Sequence, residues 1–187
     1  VGNLTHGSQD GPRTFKIAMT EGYRVLETLR RNKQIAAIGL GVNESNVLLQ
    51  ALDYGDWEVF LLAGRYTLLE QSPLYDLFPR CEERNIDIIL GGPFNSGVLA
   101  GGSTFDYAAI PDEVQKRVRT LNCLCADHGV ELPAAALQFC GAHPLIKSTI
   151  PGPRSPDEAR QILMWWRSYI PTQFWADLKS SGLIDRS

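Results

Sequence analysis

No C-x-x-C pair occurs among the four cysteines, Cys81, Cys123, Cys125 and Cys140, and the three histidines, His6, His128 and His143, complete no zinc-binding spacing. The thiols read as free cysteines of a reducing cytosol, partly buried as small hydrophobes, and no local signature supports a catalytic Cys–His pair. No basic run occurs either. Lys and Arg are scattered among the acids and the net charge is -3, which excludes the electrostatic footprint of a nucleic-acid or anionic-membrane partner. No apolar stretch approaches the ~20 residues that span a bilayer. The first residues, Val1 to His6, are neither a signal nor a transit peptide; they carry no initiator Met and begin in mid-pattern, which reads as a fragment. No G-x-G-x-x-G follows the first strand and no G-K-[ST] occurs, so neither a Rossmann fingerprint nor a Walker loop is present.

What is present suits one globular domain: 187 residues, 44% hydrophobic and 21% charged, are enough to bury a sizeable core. Residues 12–33 read as an amphipathic helix with Ala18, Gly22, Val25 and Leu29 on one stripe and Met19, Tyr23 and Leu26 beside it; Arg30, Arg31 and Lys33 suit the end of its dipole. Residues 35–42 are short, continuously apolar and bounded by polar residues, as a buried parallel strand is. Residues 43–46 can cap a following helix to about Tyr54. Residues 57–63 are a second strand, and Ser72-Pro73 opens a helix ending near residues 84–85, with Ser as N-cap. Residues 86–90 are a third strand. Helices follow from Pro111-Asp112 to about His128, closed by Gly129, and from Pro133. Residues 145–150 form a fourth strand, and helices cover about 156–168 and 171–181. Buried strands alternating with helices call for an α/β fold with parallel pairing and right-handed crossovers. An open doubly wound sheet and part of an eight-unit barrel both satisfy that pattern.

In both architectures ligands bind beyond the C-terminal ends of the strands. Four loops lie there: residues 41–44, 63–67, 91–99 and 150–156. The third is glycine-rich, so backbone N–H groups can approach an anion; the fourth puts Arg154 near a helix N-terminus, where N–H groups and the dipole favour phosphate. Together they suggest a ligand with more than one phosphate. Trp165 and Trp166 read as helix packing, and His143 before Pro144 as a strand-initiating turn. Tyr66 sits at a strand's C-terminal end, where it reads equally as a pocket residue and as core.

Residues 21–30, 37–44, 63–71, 91–99 and 150–154 together resemble the aldo/keto reductase family, in the family's order and spacing and over essentially the whole chain. The likeness is to the branch of aldose and pyridoxal dehydrogenases. It implies the C-terminal half of a TIM (β/α)8 barrel over residues 1–187, from the helix after strand four through unit eight. It implies NAD or NADP bound in extended form across the barrel mouth. Gly92, Pro93, Phe94, Asn95 and Gly97 would wrap the pyrophosphate side. Gly152, Pro153, Arg154 and Glu158 would meet the adenosine end, Asn43 the nicotinamide carboxamide, and Tyr66 the substrate. Three positions depart from the family pattern: no aromatic ring stands at Gly91, Ala63 replaces a carboxamide-binding Gln, and Ile162 replaces an adenine-reading Asn. The family's catalytic Asp, Tyr, Lys and His are expected upstream of Val1, and His6 does not match the last of them, so no catalytic residue is carried onto this chain.

The resemblance therefore implies an NAD(P)-dependent oxidoreductase of a sugar or small aldehyde, with this chain carrying the cofactor cradle and inactive alone. Two other readings are a non-enzymatic half-barrel that binds or pairs with a partner, through strand edges left open to self-association, and a different phosphate-binding barrel enzyme.

Overall fold

A computed structural model of the chain describes residues 11–185; His6 and the opening residues lie outside them. Gly11–Ile17 (α1), a π-helical turn at Ala18–Gly22 and Tyr23–Arg31 (α2) form one helical run. Then follow Gly39–Val42 (β1), Ser45–Ala51 (α3), Val59–Ala63 (β2), a 3-10 turn at Ser72–Leu74, Leu77–Glu83 (α4) and Asp87–Gly91 (β3). A second 3-10 segment, Asn95–Ala100, leads to a hairpin of Thr104–Phe105 (β4) and Ala108–Ala109 (β5). Asp112–His128 (α5), Leu132–Gly141 (α6), Ile146–Ile150 (β6), Pro156–Arg167 (α7) and Thr172–Ser180 (α8) complete the described chain.

The main sheet has four parallel strands in the order β1-β2-β3-β6. The register aligns Leu40, Phe60, Ile88 and Ile146 across it, and all four are buried with the helices' apolar faces. Burying such side chains stabilises the fold by about 1.5–3 kcal/mol each. The other face carries Gly41, Leu61, Ile89 and Ser148 in register and is partly open. Doubly wound sheets are covered by helices on both faces, whereas a barrel's helices lie only outside. The one-sided burial, with strands in sequential order, decides between the two architectures: these are consecutive strands of a parallel (β/α)8-type barrel, with β1 and β6 at the edges among the described residues. Lys147 is an extra residue where the β3–β6 register shifts between Ile88 and Ile89, a bulge at the sheet's edge.

Several elements differ from the sequence expectation. The first helix is interrupted by its π turn, and Phe15, Met19 and Tyr23 are its buried side chains. The wider turn keeps residues four apart in line, so Val25, expected on the inner stripe, is 61% exposed and Leu26 is also exposed. β1 is shorter than residues 35–42, because Ile38 is tied by Glu58: its N–H donates to Oε2 at 2.6 Å and its carbonyl accepts from the Glu58 N–H. α3 begins at Ser45 without a side-chain cap. Ser72-Pro73 makes only the 3-10 turn, and Asp76 caps α4 instead, accepting from the Leu77 N–H at 2.5 Å.

The cysteines are free; Cys81, Cys125 and Cys140 are buried and Cys123 is exposed. Burial pushes the Cys81 thiol up to about 12 and the Cys125 thiol up to about 11, so neither is a nucleophile near neutral pH. Among the described residues no cluster could hold a metal ion, and no helix is long and apolar enough to cross a membrane.

Candidate functional site: a two-part groove at the strand ends

The loops after β3 and β6 meet along one groove of about 700 Å³. Gly92, Phe94 and Gly97 line it from the first loop; Gly152, Pro153, Arg154 and Glu158 line it from the second. A smaller cavity of about 140 Å³ adjoins it and is lined by Asn43, Gly64, Gly92 and Asn95. Gly92, Ser96 and Tyr107 border both spaces. Loops far apart in sequence thus share one rim. Pro93 is buried and lines neither space.

The geometry of the first loop follows from its glycines and one asparagine. Gly92 (φ 61°) and Gly97 (φ 106°) take backbone conformations that disfavour a side chain. The Gly92 N–H donates to the Ile150 carbonyl at 3.2 Å, stitching the loop to β6. Asn95 is also left-handed, at φ 46°, a conformation asparagine tolerates better than most residues. Its side chain is engaged by protein: Nδ2 donates to the Gly64 carbonyl at 3.0 Å and Oδ1 accepts from Thr67 Oγ1 at 2.5 Å. Thr67 Oγ1 in turn accepts from the N–H groups of Leu69 and Glu70. Buried Asn95 ties the β2 loop to the β3 loop and lines the smaller cavity rather than the long groove.

At the other end, Ser155 caps α7, accepting from the Glu158 N–H at 3.1 Å. Gly152 (φ 70°) has open space where a Cβ would stand. Arg154 donates to Glu158 twice, from its backbone N–H at 2.7 Å and from Nη2 at 3.0 Å. The backbone bond first and then the guanidinium hold the Glu158 carboxyl below the usual range, so it is ionised. The Arg154 side chain is 88% exposed.

Trp165, read from the sequence as packing alone, packs partly against the core but also lines the groove, edge-on to Phe94 with ring centres 5.8 Å apart. Its signal was available: Glu158, Ile162 and Trp165 repeat at i, i+4 and i+7, one face of α7, and all three line the groove. Tyr107, on the β4–β5 hairpin, was not singled out by any sequence signal.

Tyr66 is not brought to the rim. After β2 the chain turns at Gly64 (φ 68°), and Arg65, rather than Tyr66, lines the mouth, bonded to Asp106 at 2.8 Å. Tyr66 is buried, stacked on Phe139 with centres 5.0 Å apart and tilted against Phe78. It faces a separate cavity of about 490 Å³, with His143 and Trp175. Burial raises its phenol well above the usual range and keeps it neutral.

Charged groups at the rim are paired: Arg65 with Asp106, Arg154 with Glu158. No His, Lys or Cys is among the described residues lining the two spaces. The arrangement sets loop glycines, a helix start and aromatic walls along one groove.

Comparison with known proteins agrees with this architecture. The chain is 38% identical, over 188 aligned positions, to a pyridoxal 4-dehydrogenase of Microbacterium luteolum, covering 98% of this chain and 55% of that protein. It is 34% identical to a D-threo-aldose 1-dehydrogenase of a Pseudomonas species over 173 positions, covering 90% of this chain and 53% of that protein. The chain thus spans about half the length of the curated relatives it matches. The holo form of an aldo-keto reductase from Bacillus halodurans superposes with a TM-score of 0.67 at 17% identity, over 88% of this chain and 53% of that one, which supports the fold. The family model described as "Aldo/keto reductase family" matches residues 7–182. By loop order, one-sided barrel packing and sequence match alike, the chain belongs to the aldo/keto reductase family.

Proposed function

We propose that this chain carries the dinucleotide cradle of an NAD(P)-dependent aldo/keto reductase or aldose dehydrogenase acting on a sugar or small aldehyde, and that it lacks the acid–base residues of that reaction. The observation that carries this reading is the shared groove. Its volume of about 700 Å³ lies in the range of cofactor sites, and its glycines, Gly152 above all, put no side chain in the way of a pyrophosphate. The loop from Gly92 to Gly97 would wrap the pyrophosphate side, Arg154 and Glu158 would meet the adenosine end, and Asn43 the carboxamide. NAD(P) held there would supply hydride chemistry at a carbonyl or anomeric carbon. Pyridoxal and D-threo-aldoses, named for the two relatives, are the substrate classes to try first.

Glu158 already neutralises Arg154, and an ionised carboxylate accepts from a ribose hydroxyl but repels a 2′-phosphate. NADH is therefore expected to bind more tightly than NADPH. Titrating both nucleotides into the chain and following nicotinamide fluorescence tests the proposal. Saturable binding supports it; no binding of either at millimolar concentration contradicts it.

A second reading, a half-barrel that pairs with another copy of itself, rests on the open strand edges. Among the described residues β1 pairs only with β2, and β6 only with β3. A groove of about 470 Å³ runs along β6, lined by Lys147, Ser148 and Thr149 and by Leu163 and Trp166 of α7. At the far end of the sheet, exposed Val25 and Leu26 on α2 offer apolar surface. Unpaired edges recruit strands, so light scattering should give a mass above the 20.7 kDa of one chain. A clean monomer at high concentration counts against this reading. Its small-molecule ligands, its free thiols and its balanced charge suit a cytoplasmic protein without nucleic-acid or membrane partners.

A further inference from the structure

We infer that Tyr107 is the residue that holds the nicotinamide ring, supplying from the β4–β5 hairpin the aromatic platform that Gly91 does not. The inference rests on the dinucleotide reading of the groove. Tyr107 stands where the long groove meets the smaller cavity beside Asn43, bordering both. At Gly91 itself, a Cβ would already lie 3.3 Å from the Ala63 Cβ and 3.6 Å from Leu61 Cδ2, so the strand end is closely packed without a side chain. Among the described residues Tyr107 carries the aromatic ring that borders both spaces.

The hairpin presents one. Asp106 and Tyr107 occupy its tip at φ 48° and 64°, left-handed conformations that a bulky side chain rarely adopts. Such backbone persists only where surrounding contacts hold it, and three do. The Tyr107 N–H donates to Ser96 Oγ at 3.1 Å, Thr104 Oγ1 donates to the Ser96 carbonyl at 2.6 Å, and Arg65 donates to Asp106 at 2.8 Å. The backbone is thus pinned to both flanking loops, yet the ring is 87% exposed and makes no hydrogen bond or ring contact among the described residues. A fixed backbone with an unengaged aromatic ring suits a ligand platform. An oxidised nicotinamide is planar and cationic, so it gains both stacking and cation–π attraction from a phenol face.

Calorimetric titration of the 187-residue chain with NAD and with ADP-ribose, which lacks the nicotinamide, separates this role from that of the groove. Tyr107→Ala should weaken NAD binding by about 5–10-fold, the size of one lost ring contact, and leave ADP-ribose binding within about 2-fold. Tyr107→Phe, which keeps the ring, should retain NAD affinity. If ADP-ribose binds and Tyr107→Ala leaves NAD affinity unchanged, or weakens both ligands equally, this inference is overturned while the groove stands. If the wild-type chain binds neither ligand, the dinucleotide reading fails and this inference with it.

Discussion

Mixed with NAD or NADP and the sugar or aldehyde substrates proposed above, the 187-residue chain should form no reduced nucleotide above the enzyme-free rate. Hydride transfer to or from a carbonyl needs a group that gives or takes the oxygen's proton, and such groups work when their pKa is tuned toward the operating pH. At this rim the carboxylates are held by arginines, and the exposed Tyr107 phenol has no Lys or His beside it among the described lining residues to assist proton transfer. The neutral Tyr66 phenol and the His143 imidazole, whose pKa is lowered by burial, face the other cavity. Ultraviolet absorbance of the reduced nicotinamide measures this directly. Turnover well above the blank, abolished by a groove substitution, would mean that the chain holds an acid–base group of its own.

The second large effect is on stability. Asn95→Ala should destabilise the chain by about 3 kcal/mol, summing roughly 1 kcal/mol for each of two lost hydrogen bonds and about 1 for an alanine in left-handed backbone. Against a total stability of about 5–15 kcal/mol, and for a chain of this size, that corresponds to a melting temperature lower by about 6–12 °C. The loss concentrates where Gly64 and Thr67 meet the β3 loop, so nucleotide affinity should fall with it. Thermal denaturation followed by circular dichroism reads the first effect. An unchanged melting temperature would show that the two loops hold each other without Asn95. Tyr107→Ala, by contrast, removes an exposed ring and should leave melting unchanged.

The elements legible in the sequence were those whose signals are local. The continuous apolar runs around Phe60 and Ile88 mark parallel strands, buried under the helices on one face and half-buried at Leu61 and Ile89 on the other. Ser155-Pro156 starts α7 with its cap, and Gly129 ends α5 in left-handed backbone, with the Val130 N–H returning to the Cys125 carbonyl at 2.8 Å. The glycines at residues 92, 97 and 152 marked both halves of the groove for the same local reason. What the sequence left open depends on long-range packing. The choice between open sheet and barrel required knowing that one sheet face lacks helices. The direction of Tyr66 depends on the turn at Gly64, and the exposed face of α2 on a π turn that no residue pattern announces. The β4–β5 hairpin was hidden because Asp106 and Tyr107 take left-handed backbone without a glycine between them.

Amide hydrogen exchange of the chain with and without saturating NAD tests the shared rim most directly. Slowed exchange at residues 92–102 and at residues 151–158 together, with little change elsewhere, is the predicted footprint. Protection of only one of these loops, or of the cavity around Tyr66 instead, would contradict a dinucleotide held between them.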